Sequence, residues 1–313
     1  MASSLSSLVL DIAARDSILA ARASLAPLGR FAHSFALAED EKGNVVKVPV
    51  FSRGAAAEFG APLQGGGVND YTSATTAGVA GVNITLNHHP WESKRLLPDD
   101  VMETDVGRDW AAQTTIAAVD ACAKFMQDAV MTDIVTNATG TALTISGATY
   151  LKKVAGIRKQ AIAAGMKPQQ STLLVNPDFY SELLTELPAD VYGARDALLD
   201  GWIDRILGFG RIAEVCGAPN VTIGTGGDAK TYSFDAAVVA DDAYGLATRL
   251  PIVQNPDKFD VSDITMPEIG PWSFRVRSTG TNSNDAKFLG AEVIFGCACL
   301  QPTKILVAKT EVV

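Results

Sequence analysis

The sequence predicts an α+β protein, and three features carry that expectation. A helical stretch of about 30 residues runs from Asp99 to Val135 with Gly107 as its only internal glycine. A block of mixed strand and helix signals follows, over roughly 142–250. From Phe259 to Val313 the chain is strand-rich. Helices and strands are grouped along the chain and do not alternate as in a regular βαβ repeat.

Taken in order, residues 1 to about 40 open with Leu8, Ile12, Leu19 and Ala23 at helical spacing. Asp11, Arg15 and Arg22 lie off that face, and the pattern stops near Pro27 and Gly29. "NVVKVPVF", Asn44 to Phe51, alternates with the period of a strand. Ser52 to Gly81 is different in kind. It has six glycines from Gly60 to Gly81, much Ala and Thr, and almost no large apolar side chain. Alternation returns in "GVNITLNHHPW". Two strand-like ends around a polar, Gly-rich middle predict a long hairpin that cannot fold onto its own core, and loops above about 12–15 residues are usually functional or disordered.

The long helix carries Met102, Val106, Trp110, Val119, Cys122, Met126 and Val130 at helical spacing. Six acidic residues between Glu103 and Asp133 outnumber Arg108 and Lys124. "ATYLKKVAGIRKQAIAAGMKP" predicts a second helix, with Leu151, Val154, Ile157 and Ile162 inward and a basic outer face. In "STLLVNPDFYSELL" a buried strand ends at Asn176, a good N-cap. Pro177 suits the first helical position and Asp178 the first turn, and Phe179, Leu183 and Leu184 follow at helical spacing. "DALLDGWIDRILG" reads as helix, "PNVTIG" as strand, and "DAAVVADDAYGLATRLP" as a strand feeding a turn. "FDVSDITM", "WSFRVRS", "AEVIFGCACL" and "TKILVAK" read as closing strands that return to the long helix, making a discontinuous second domain.

The chain has 313 residues, 47% of them hydrophobic and 19% charged, which excludes a disordered chain. A net charge of −9 argues against a dedicated nucleic-acid binder, but not against a protein that encloses DNA. The N-terminus has no basic segment, and Asp11 breaks its apolar run, so no cleaved signal is expected. No stretch approaches the 18 or so apolar residues of a membrane span. Of the four cysteines, Cys122, Cys216, Cys297 and Cys299, the last two would share a face of a strand. They read as buried, reduced thiols, in keeping with a reducing cytoplasm.

Catalytic patterns are weak. "GFGRIA", Gly208 to Ala213, meets the loose dinucleotide spacing, but the residues before it look helical and Gly217 and Pro219 follow too soon for a full helix. A tight turn explains it, and a nicotinamide-dependent enzyme is the competing reading. His88 and His89 are adjacent, so on a strand they would point to opposite faces and could not easily share a metal. "GTGGDAKT", Gly224 to Thr231, lacks phosphate-loop spacing. No G-x-S-x-G elbow is present, and the pairs Asp99–Asp100 and Asp241–Asp242 are poor dyads. No enzyme activity, cofactor or metal is expected.

With catalysis unsupported, the order of segments becomes informative. "VVKVPV" opens an extended loop, a long helix follows near 100–135, and "LLVNPDFYSELL" lies mid-chain. "GRIAEVCGAPNVTIG", "AAVVADDAYGLATRLP" and "FRVRS…KFLGAEVIFGCACLQPTKILV" then follow. In this order and spacing, over residues 30–313, the chain resembles the major capsid proteins of tailed bacteriophages, the Hong Kong 97-type fold. The resemblance implies an N-arm (1–43), an extended hairpin loop (44–90), a peripheral domain with a long spine helix (91–141 and 251–313), and an axial domain (142–250).

It further implies a homo-oligomer of pentamers and hexamers in an icosahedral shell. That shell would enclose double-stranded DNA without sequence-specific binding. It would be assembled in the host cytoplasm with a portal and found in the virion capsid. Many relatives carry a cleaved scaffolding region before the arm. Here the arm starts almost at Met1, so either processing has already happened or a separate scaffolding protein assists assembly, and Met1 favours the second. Some relatives crosslink through a loop lysine; here no lysine lies between Lys47 and Lys94. Arg53 and Glu58, nearly the only loop charges before Asp70, are the candidate inter-subunit contacts. An encapsulin-like compartment enclosing protein cargo, or another polymerising surface protein, would use the same physics.

Overall fold

The longest element is helix α1, Asp105–Asn137, 33 residues or about 50 Å of helix. It and the rest of the chain are seen in a computed structural model that describes residues 25–36, 44–51, 79–95, 105–187, 203, 205–251, 259–266, 272–280 and 287–312. Val119, Cys122, Met126 and Val130 recur at three- and four-residue spacing, and all four are buried, as the pattern predicts. The described helix begins at Asp105, and the part of the expected helix from Asp99 to Thr104 lies outside the described residues.

Strands β1 (His33–Ala36), β9 (Tyr244–Arg249) and β13 (Ile294–Cys299) form one sheet in the order β1-β9-β13, with β1 parallel to β9. A second, antiparallel sheet runs β10 (Phe259–Met266), β11 (Trp272–Gly280), β12 (Lys287–Glu292), β4 (Trp91–Arg95). A third runs β14 (Ile305–Glu311), β8 (Lys230–Ala240), β5 (Ser171–Val175), β6 (Arg211–Glu214), with β7 (Val221–Ile223) also on β8. Strands β2 (Val45–Phe51) and β3 (Val79–Thr85) pair with each other as an antiparallel ribbon.

The third sheet is buried on both faces, and side-chain alternation divides it between two cores. Ala237, Val239, Ile305, Val307 and Leu174 face α1. Ala236, Val238, Leu306, Ala308, Leu173 and Val175 face helices α2 (Tyr150–Ala163) and α3 (Pro177–Glu186). Both helices start as their sequences dictate. Thr149 accepts from the Lys152 amide at 3.3 Å, and Asn176 accepts from the Phe179 amide at 2.8 Å with Pro177 in the first turn.

Several expectations are corrected. "AEVIFGCACL" is two strands in two sheets. Val293, fully buried, is the hinge where the chain leaves β12 for β13. Strand pairing ties the 142–250 block to the rest of the chain: β9 pairs with β1 and β13, and β14, near the chain's end, pairs with β8. The described part of "DALLDGWIDRILG" is not helical; the chain turns at Leu207 (φ 46) and Gly208 (φ 81) into β6. "NHHPW" is a link between β3 and β4, where His88 makes only an isolated bridge to Phe295. Ile162 is 47% exposed, because Val154, Ile157 and Ala161 complete the inward face of α2 without it. Among the described residues, no helix is long and apolar enough to cross a membrane.

Candidate assembly site

The β2–β3 ribbon grips the subunit at one end. Val48, Ile84 and Leu86 form a small core with Ala247 of β9 and Leu300. Two glycines permit the approach. A Cβ at Gly245 would lie 2.8 Å from Ile84 Cδ1, and one at Gly296 would collide with the Thr85 carbonyl. The register runs from Val45↔Thr85 at the base to Phe51↔Val79 at the outer end, so residues 52–78 bridge the far end of the ribbon. The two predicted contact residues, Arg53 and Glu58, lie outside the described residues.

Beside the ribbon a groove of about 660 Å³ runs between β3 and α1, lined by Asn83, Thr85, His88, Phe125, Asp133 and Cys297 among others. The His88 ring stacks on Phe295 at 4.9 Å, and Phe125, 47% exposed, stands 6.0 Å from His88. Burial lowers the His88 pKa, against the opposing pull of Asp133. His89 turns the other way, its Nε2 lying 3.1 Å from Oε2 of Glu292. The adjacent histidines therefore serve different surroundings. Among the described residues no group of three or more His, Cys, Asp or Glu side chains is placed to hold a metal.

A second exposed surface lies on β4, an edge strand. Trp91 is 66% exposed there, beside a cavity of about 210 Å³ lined by Glu92, Arg277 and Glu292. Glu292 is nearly buried, and Arg277 Nε lies 3.2 Å from its Oε1. Sequence reading missed both Trp91 and Phe125. The signal for Phe125 was present: it adjoins Met126 but is out of register with the buried stripe Val119, Cys122, Met126, Val130.

The "GFGRIA" turn does not have dinucleotide geometry. Arg211, Ile212 and Ala213 are strand, so the turn leads into β6 and not into the helix that the motif requires. Gly210 is required by packing, since a Cβ there would strike the Gln169 carbonyl oxygen. "GTGGDAKT" is a short 3₁₀ turn, Gly226–Asp228, leading into β8. Asp241 and Asp242 occupy the β8–β9 turn; burial raises the Asp241 pKa, partly offset by Arg211. On α1, Lys124 pairs with Asp128 and donates to the Gly217 carbonyl at 2.7 Å, so part of the acidic helix is neutralised locally.

The cysteines are free. Burial pushes Cys122 up to about 12 and Cys297 up to about 11, and it raises Cys299 with help from Asp133. Cys216 is exposed, and Cys297 and Cys299, expected to be buried, are half-buried.

No family model and no curated protein sequence matches this chain. Solved structures do. One from Mycobacterium phage Che8 has a TM-score of 0.53 at 18% identity, covering 85% of each chain. The capsid of cyanophage P-SCSP1u gives 0.53 at 12% identity, over 88% of this chain and 85% of that one. The virus-like particle from Pyrococcus furiosus gives 0.51 at 12% identity, over 95% and 96%. Such identities carry no residue-level correspondence, but a shared path over at least 85% of both chains fixes the architecture: this chain has the Hong Kong 97-type fold of phage capsid proteins.

Proposed function

We propose that this chain is a structural, shell-forming protein: a major capsid protein whose copies assemble as pentamers and hexamers into an icosahedral shell enclosing double-stranded DNA. The observation that carries the reading is the β2–β3 ribbon. Its described strands pack on the subunit through Val48, Ile84 and Leu86, and beyond Phe51 and Val79 it leads into a Gly-rich segment with almost no large apolar side chain. A segment that cannot bury itself gains order on another copy. The likeness to capsids supports the same reading.

In this reading residues 44–90 are the extended loop and 1–43 the N-arm. Residues 91–141, which hold most of α1, form the peripheral part with 251–313. The axial part is the 142–250 block, which shares its sheet with β14. Arg53 and Glu58 dock the loop on a neighbour. A separate scaffolding protein and a portal assist assembly in the host cytoplasm, and the product is the virion capsid. No catalytic role is assigned.

Negative-stain microscopy of purified protein tests this: closed shells are expected. Deleting Gly60–Gly78 should leave a folded subunit that forms none, and normal particles from that deletion would sink the reading. A second reading, an encapsulin-like compartment, is compatible with the likeness to the Pyrococcus furiosus virus-like particle. Particle contents separate the two: DNA for a capsid, protein cargo for a compartment.

A further inference from the structure

Between Asp133 and Asp178 the chain has no acidic residue and five basic ones, Lys152, Lys153, Arg158, Lys159 and Lys167. In a chain of net charge −9 this segment has the opposite sign. The fold turns it into a surface. With Val154, Ile157 and Ala161 buried, Lys152 and Lys159, two turns apart on α2, are exposed together with Arg158.

Arg158 leans over the turn that precedes β6. A Cβ at Gly208 would lie 3.3 Å from its Nε and 3.7 Å from its Nη2. Arg205 and Arg211 line the groove at that turn, about 570 Å³ in volume, with Gln169, Gly208, Gly210 and Asp241. Arg211 Nη1 donates to the Arg30 carbonyl at 2.7 Å, which fixes its stem. Two guanidinium groups that flank the turn and a third from α2 thus converge on a glycine-floored groove, and Asp241 is the one carboxylate among the lining residues. The acidic residues of the neighbouring helix α3 bound the patch: Asp178 and Glu182 are exposed, and Glu186 accepts from the Leu151 amide at 2.9 Å.

We propose that this groove, with the α2 face leading into it, binds the phosphodiester backbone of a DNA duplex without reading its bases. The proposal builds on the shell reading above, in which DNA is the enclosed partner. Guanidinium forks match phosphate oxygens, and lysines add sequence-independent charge. The 14-residue helix α2 is about 21 Å long, more than one small anion can occupy. A duplex presents a charge about every 1.7 Å of its axis, so a row of this length meets several phosphates.

The test is titration of the purified full-length chain with a labelled random-sequence duplex between roughly 50 and 200 mM salt. The logarithm of affinity should fall linearly with the logarithm of salt. Arg158→Ala with Arg205→Ala should weaken binding at least about tenfold and shrink the salt slope by about 2, near 1 per lost phosphate contact. Lys152→Ala with Lys159→Ala should act in the same direction, and it answers any concern that the arginine changes disturb the turn. Lys230→Ala, at the opposite end of β8 from the Asp241 turn, should leave affinity and slope unchanged.

Inorganic tripolyphosphate serves as the competing probe. If it displaces the duplex while the lysine pair has no effect, the groove takes small polyphosphates and the duplex proposal falls. Shell formation is scored separately by microscopy. Weakened DNA binding with intact shells supports the proposal. Unchanged DNA binding with lost shells would make the patch a contact between copies and overturn it, leaving the shell reading in place. Patch-dependent DNA binding by a chain that never forms shells would uphold the groove and sink the shell reading alone.

Discussion

Gly296 shows how one missing methyl group determines where a whole ribbon sits. Its backbone lies against the Thr85 carbonyl with no room for a Cβ. Overpacking of this kind costs about 1–3 kcal/mol, and here the obstacle is backbone, which cannot rotate away. Gly296→Ala should therefore lower the melting temperature of the subunit by several degrees, read by circular dichroism; an unchanged melt would show that the ribbon can lift without cost. The thiols make a second residue-scale prediction. The thiolate is the reactive species, and burial holds Cys122 and Cys297 protonated well above neutral pH. At pH 8 an alkylating reagent should label Cys216 quickly and the other three only on unfolding. Two or more fast thiols in the native protein would contradict the burial described for α1 and β13.

At the scale of elements, α1 draws its stability from its neighbours more than from its own sequence. Its apolar stripe packs on β12 and β13, and Met126 is fully buried within the main core. Met126→Ala should cost about 2–5 kcal/mol, the range for emptying a buried large side chain. Chemical denaturation of the subunit would measure it, and a loss below about 1 kcal/mol would mean the helix is held elsewhere. The ribbon is the opposite case. Its anchoring core is five buried residues, and the proposed reading places the Gly-rich segment beyond it on a neighbouring copy. Arg53→Ala is expected to lower the melting temperature of assembled particles more than that of the isolated subunit. Differential scanning calorimetry of both forms distinguishes a docked arginine from a solvated one, for which the two shifts would be equal and small.

For the whole molecule, the proposed shell is expected to lack covalent chainmail. The loop offers no lysine between Lys47 and Lys94, and the three buried or half-buried cysteines are poor nucleophiles. Robustness then rests on repetition, because removing one copy breaks several interfaces at once. Boiled, reduced particles should run as a single monomer band; a ladder of multimers would refute the claim.

What the sequence determined by itself was local and periodic. The stripe Val119, Cys122, Met126, Val130 specified a helix and its buried face, since a 3.6-residue period leaves one solution. Asn176-Pro177-Asp178 specified a capped helix start, because the orphan amides of a first turn need that chemistry. The alternation in "NVVKVPVF" and "GVNIT", around a stretch too poor in apolar area to fold alone, specified the ribbon. Tertiary structure decided what depends on partners far away in the chain. Val293 divides one apolar run into two strands because two sheets compete for it. Strand β14 joins the sheet of the 142–250 block because β8, buried on both faces, needs β14 on its free edge. Ile162 is left outside because the inward face of α2 is already full. Arg158 is about 50 residues from Arg205 and Arg211 in sequence and comes to their groove only because it leans over the Leu207–Gly208 turn. Hydrogen-bonding edges and core volume are shared across the whole chain, so no local window contains the information that settles them.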